Sequence, residues 1–362
     1  MRYFHLDSLR SFLMMYGIIL HSTTLGSSLV YASIQYASGL VRMEAFFIIS
    51  GFLSALTFCR YGSRKMLQKR IVRIGIPLCF GLVLLNPLAN YLVYSFHNST
   101  GESLLTYLLH PVPAGAEGPM VWHLQLWFLF PLLVYALITP FAHRALADLE
   151  NLAASWRRIF GSYTLSMFFL MIAVCAAGFR VFYTQLLCKL IDIEPGFIGR
   201  ETFYYLPFFL FGIVLYRYKN LLEEFQTPKW SVLLISLTLL GGVEYLATVQ
   251  DGAVIKLCLL AVRALVAMTL SNLLFFLAKR YLSSGSSFFR FMSDASYSVY
   301  MLHYLFIYVF AMLLAQHVAN NYVLASCAGA LTLLTTIALH RHLISGNRYL
   351  ALLVNGKPWW KE

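Results

Sequence analysis

Two ionisable side chains inside an apolar stretch are the first residues in this sequence that could do chemistry: Arg10 and His21, within Leu9 to Val30. If the stretch is helical, their spacing carries it about 20° past three full turns, so both lie on one face, about 16.5 Å apart along the axis. Ionisable groups in a membrane span are costly and by default mark a functional pathway. An imidazole exchanges protons near neutral pH and can take one from a hydroxyl. A guanidinium makes forked hydrogen bonds to phosphate or carboxylate. His21 is therefore the candidate base or proton relay, and Arg10 the candidate anion ligand.

The elements that must position this pair are membrane helices. Apolar residues make up 60% of the chain and charged residues 12%, with a mean hydropathy of +0.71; soluble domains average about 45–50% and about 25%. The apolar runs predict an all-α fold, a polytopic bundle of about ten transmembrane helices. The expected spans are 9–30, 38–59, 74–96, 121–141, 159–182, 201–216, 230–249, 253–277, 295–315 and 322–340. They form one integral-membrane domain over 1–362, with 341–362 as a cytoplasmic tail. The first run is read as an uncleaved span, since it contains Arg10 and His21 and lacks a small-residue cleavage site.

Charge gives the orientation. Most of the 27 Lys and Arg residues fall on one side of this arrangement: Arg2 and Arg10, six between Arg60 and Arg73, Arg144, Arg157 and Arg158, Arg217, Lys219 and Lys229, Lys279 to Arg290, and Arg341 onwards. By the positive-inside rule that side is the cytoplasm, which places both termini there. The same rule accounts for the net charge of +12 without invoking nucleic acid. Six cysteines are scattered singly, with no CxxC pair and no metal-ligand spacing, so neither a disulfide framework nor a metal is expected.

Other polar groups admit two readings each. "RKMLQKRIVRIGIP" carries Arg64, Lys65, Lys69, Arg70 and Arg73; it reads as a topology signal near anionic lipid or as a phosphate site. Arg10, entering the membrane near the same surface, favours the phosphate site. Arg42 and Glu44 open the second span, before Ser50 and Gly51. There Glu44 is an interhelical clasp or a site residue, and small residues permit close helix contact. Trp122, His123 and Trp127 are belt or site residues, and Tyr300 and His303 in "SYSVYMLH" are packing or site residues. Arg180 and Arg200 face the outer side, where basic residues are rare. Two classes remain open: a transporter with His21 in a proton relay, and an enzyme whose phosphate-bearing substrate comes from the cytoplasm while a second arrives from outside.

The motifs narrow this choice by resemblance. Arg10-x10-His21, "FFIISGF", "KRIVRIGIP", "LWFLF" and "SYSVYMLH", in this order on these spans, resemble the acyltransferase-3 family of bacterial membrane O-acyltransferases. Within it, "YFHLDSLRSFLMMYGI", "RMEAFFIISGF", "FYYLPFFLFG" and "GKPWWK" are similar to the glucan biosynthesis protein C group, succinyltransferases of osmoregulated periplasmic glucans.

The resemblance implies a multi-pass protein of the bacterial inner membrane. It would use succinyl-CoA from the cytoplasm as co-substrate and a periplasmic glucan as acceptor, with no permanently bound cofactor. Acetyl transfer to another envelope glycan is the nearest alternative. His21 matches the catalytic histidine and Arg10 its paired arginine; Lys69, Arg70 and Arg73 match the donor-side basic motif. Arg42, Glu44, Ser50, Trp127, Arg180, Tyr300 and His303 remain candidates for positioning the acceptor or acyl group. Two departures from the group's pattern stand out: Glu44 at a position uncharged in the group, and Gln125 where the group has histidine, with His123 two residues earlier.

Overall fold

The computed structural model describes residues 3–110, 112–146, 161, 164–192, 194–283 and 285–359. Arg2, Arg157, Arg158, Lys361 and most of the first five residues of the expected fifth span lie outside the described residues. Among the described residues every regular element is helical and no strand occurs.

In chain order the helices are α1 (Phe4–Ser22), α2 (Leu29–Gly39), α3 (Arg42–Arg70), α4 (Ile76–Phe80), α5 (Asn86–Asn98), α6 (Leu104–Leu109), α7 (Leu129–Ala145) and α8 (Thr164–Val181). They continue as α9 (Phe197–Arg217), α10 (Lys219–Phe225), α11 (Trp230–Val249), α12 (Ala253–Tyr281), α13 (Ser287–Ala315), α14 (Asn321–Leu339) and α15 (Arg348–Asn355). Wide π-type turns join α3 to α4 at Ile71–Gly75 and α4 to α5 at Gly81–Leu85. Among the described residues eight segments are long and apolar enough to cross a membrane. The first, Leu29–Asn98, runs through the second and third expected spans, and the other seven coincide with the fourth to the tenth.

The first span differs from expectation. Its helix carries His5, Asp7, Arg10 and His21, is not among the eight, and ends at Ser22 instead of continuing to Val30. Three hydroxyls bond back onto the helix at its end. Ser22 Oγ donates to the Ile18 carbonyl at 2.8 Å, Thr23 Oγ1 to Leu20 at 2.6 Å and Thr24 Oγ1 to His21 at 2.6 Å. His21 lies in the last turn of α1.

The basic segment expected as a loop is also largely helical. α3 runs through it to Arg70, interrupted at Gly62, whose φ of +77° is open to glycine without strain.

The described chain forms two compact units. One comprises 1–10, 39–68 and 130–285; the other 11–38, 69–129 and 286–362. In the first, α3 and α9 touch backbone to backbone: a methyl on Gly51 would strike the Phe209 carbonyl oxygen, and one on Gly212 the Ile48 carbonyl oxygen. This is the close approach that small residues permit between membrane helices. Phe47 stacks on Tyr205 at 4.8 Å beside the seam. Elsewhere in this unit Asn272 closes the α10–α11 connection, donating to the Phe225 and Thr227 carbonyls and accepting from the Lys229 amide.

In the second unit Ile18, Val93, Ile307, Tyr308, Ala311 and Ala328 form part of a buried apolar core. A polar clasp holds α15. Ser298 Oγ donates to Asn355 Oδ1 at 2.7 Å and accepts from His340 Nδ1 at 2.8 Å, and all three residues are buried.

Candidate active site

The second unit brings His21 to α13. The His21 ring lies 5.2 Å from that of His303, tilted by 39°, and 5.0 Å from that of Tyr304, edge to face. His303 is 1% exposed, whereas His21 is only half-buried. His303 Nδ1 is 2.7 Å from the Tyr300 carbonyl oxygen. A carbonyl only accepts, so Nδ1 carries a proton and a neutral His303 presents Nε2 as its accepting nitrogen.

Neighbouring bonds fix this cluster. The Tyr300 hydroxyl donates to the Gln125 carbonyl at 2.9 Å, and the Tyr300 ring packs on Phe128 at 4.8 Å. Tyr308 OH is 2.9 Å from Thr24 Oγ1 and 3.3 Å from His97 Nε2. The turn after α1 is therefore tied to α5 and α13, which orients the residue just before it. Tyr304 escaped the sequence reading although it directly follows His303 in the motif. The signal was the aromatic run Tyr297, Tyr300, Tyr304 and Tyr308, spaced three and four apart on one helical face.

Trp127 and Gln125 fall in the tight turn Leu124–Phe128, which Leu124 enters with φ of +39°. Trp127 is half-buried and Gln125 buried. The Gln125 side-chain oxygen has no hydrogen-bond partner among the described residues. Lys69 and Arg70 end α3 and are half-buried, while Arg73 is exposed on the following wide turn. Arg10 lies on α1, about three turns before His21.

The first unit holds the remaining candidates, and it joins several of them. Glu201 on α9 lies 3.7 Å from Arg180 and 3.2 Å from Arg200. The Arg180 guanidinium is 5.6 Å above the Tyr204 ring, and the Tyr204 hydroxyl donates to Glu44 Oε1 at 3.4 Å. Glu44 is buried, and its Oε2 has no hydrogen-bond partner among the described residues. Arg42 opens the same helix, and Ser50 is buried within it. Glu44 therefore links α3 to α9 as one of its two readings required. Glu201 and Tyr204 were missed by the sequence reading; an acid directly following Arg200 was the available signal.

Among the described residues no group of three or more His, Cys, Asp or Glu has metal-holding geometry. The second unit thus offers a half-buried imidazole, a second, buried one held in a fixed tautomer, and cations at the end of α3 and on the turn that follows it. The half-buried imidazole suits proton abstraction from a hydroxyl, and the cations suit an anionic ligand of their own.

Comparison with known proteins defines the class. The family profile described as "Acyltransferase domain", acyltransferase-3, matches residues 3–341, and the chain belongs to that family. It is a membrane acyltransferase by family and by its apolar helices. Among individual proteins it is similar to Glucans biosynthesis protein C of Escherichia coli strain K12, 26% identical over 380 residues, which cover 99% of this chain and 95% of the relative. The proteins of the same name from E. coli O157:H7 and E. coli O6:K15:H31 match to the same extent. No solved structure matches.

Proposed function

We propose that the protein is an O-acyltransferase of the bacterial inner membrane that moves a succinyl group from cytoplasmic succinyl-CoA to hydroxyls of a periplasmic glucan. The chain would cross the membrane about ten times, with both termini in the cytoplasm. The observation that carries the reading is His21, in the last turn of α1 against His303 and Tyr304, in a chain that matches the acyltransferase family over 3–341. The relatives named for glucan biosynthesis support the acceptor class.

The steps draw on the second unit and on α1. Lys69, Arg70 and Arg73 take the donor's phosphates. Arg10 is assigned to the donor from its place on α1 alone. His21 removes the proton from a glucan hydroxyl as that oxygen attacks the thioester carbonyl. The new C–O bond forms, the C–S bond breaks, and the thiolate leaves with the proton that His21 had taken. His303, pinned through Nδ1, keeps the His21 ring in place by packing beside it.

The test is His21→Ala in intact cells and in purified protein. Acyl transfer should vanish while the variant remains folded in the membrane, and mass spectrometry of glucans from wild-type cells should show the succinyl increment. Transfer retained by His21→Ala would end the assignment of the base, and an acetyl increment would replace succinyl by acetyl.

A further inference from the structure

The end of the chain carries structure that the steps above do not use. α15 is fastened by the buried Ser298, His340 and Asn355 clasp. Gly356 then caps the helix with φ of +57° and lies against the Arg73 backbone so closely that a methyl there would be 2.7 Å from the Arg73 carbonyl oxygen. Lys357 therefore emerges one residue from the basic turn, its ammonium 4.0 Å from the Asp294 carboxylate in an exposed pair.

Beside it are two outward-facing rings, Tyr349 at 54% and Trp359 at 47% exposure, with centroids 5.2 Å apart. The Arg348 guanidinium lies 4.9 Å from the first ring and 5.6 Å from the second. Residues separated by most of the chain thus bring cations and solvent-exposed aromatic rings to one place in the second unit.

That combination suits a purine nucleotide. Aromatic faces stack on a base whatever its hydrogen-bonding edge, and guanidinium and ammonium groups take phosphates. We infer that Tyr349, Trp359, Lys357 and Arg73 form the docking site for the adenine nucleotide end of the acyl-CoA donor. The inference rests on the donor reading given under the proposed function. Aromatic and basic residues also gather at membrane surfaces. A bilayer anchor, however, needs neither a buried polar clasp nor a glycine seated on the backbone of a cationic turn. Those contacts hold the tail as part of a protein site.

The experiment uses the full chain in lipid nanodiscs. Transfer is measured from an acyl-CoA and from the matching S-acyl pantetheine, which lacks the nucleotide, and binding of adenosine 3′,5′-bisphosphate is measured directly. Trp359→Ala should lower the ratio of kcat/KM for the full donor to that for the truncated donor by about 10- to 100-fold, the range for losing one stacked base. It should weaken bisphosphate binding similarly, and Trp359→Phe should restore both. An unchanged ratio, as a bilayer anchor or a purely structural tail would give, overturns the inference. If the wild-type protein transfers from no acyl thioester, the donor reading fails. The bisphosphate arm then decides alone: binding that is weakened by Trp359→Ala keeps the site, and absent or unchanged binding removes it.

Discussion

Tyr300→Phe separates structure from chemistry in the candidate site. Its hydroxyl is the kind of donor an oxyanion needs, a role for which Tyr300, His303, Ser50 and Trp127 are the candidates that the sequence contains. A phenol has one proton to donate, and here it goes to the buried Gln125 carbonyl at 2.9 Å. Removing the hydroxyl strands a buried acceptor, which costs about 1–3 kcal/mol. For comparison, losing an oxyanion donor would lower kcat by about 100- to 1000-fold. The two effects are read by different assays. Thermal unfolding in detergent should show Tyr300→Phe destabilised by roughly that energy, while initial rates of acyl transfer at saturating donor stay within about tenfold of wild type. A hundredfold loss of kcat at unchanged stability would refute this assignment and make Tyr300 the oxyanion donor after all.

Gly212→Ala should destabilise the first unit by about 1–3 kcal/mol, and toward the upper end of that range, because the obstacle is the Ile48 carbonyl and not a side chain that can rotate away; an unshifted melting curve would contradict the seam. His5, ahead of the first expected span, lies 3.0 Å from the Gln226 amide nitrogen. Burial, and then the Lys279 ammonium, hold its imidazole below the usual histidine range against the opposing charge of Asp7. As pH falls the unfolded chain therefore takes up this proton first. The contribution is full above about pH 6.5 and declines below it as pH drops toward the folded-state value. The slope of Tm against pH in that window should flatten in His5→Gln, and an equal slope in both proteins would exclude His5 as its source.

The long helices were legible because hydropathy and length suffice for a segment that must bury its own backbone polar groups in lipid. The end of α1 was not legible. Ser22, Thr23 and Thr24 are compatible with a continuing membrane helix, and the bonds they make back to Ile18, Leu20 and His21 are of a kind that Thr269 and Ser296 make inside unbroken helices. Arg10 and His21 stood out as charges out of place, and Glu44 did too. The partners of Glu44 did not, since Tyr204 lies 160 residues away and is an unremarkable aromatic residue in sequence. The neighbourhood of Gly356 and Arg73 was equally hidden. A contact between two backbones leaves no pattern of residue types beyond one glycine.

The Gly51 and Gly212 seam also bears on motion. Side-chain interfaces loosen by rotamer exchange on fast timescales, but this contact has no rotamers to exchange. Its amides should be among the slowest to exchange hydrogen in the first unit. Any rearrangement within the first unit would then have to pivot around the seam, leaving bends such as the one at Gly62 to absorb the change in backbone angles.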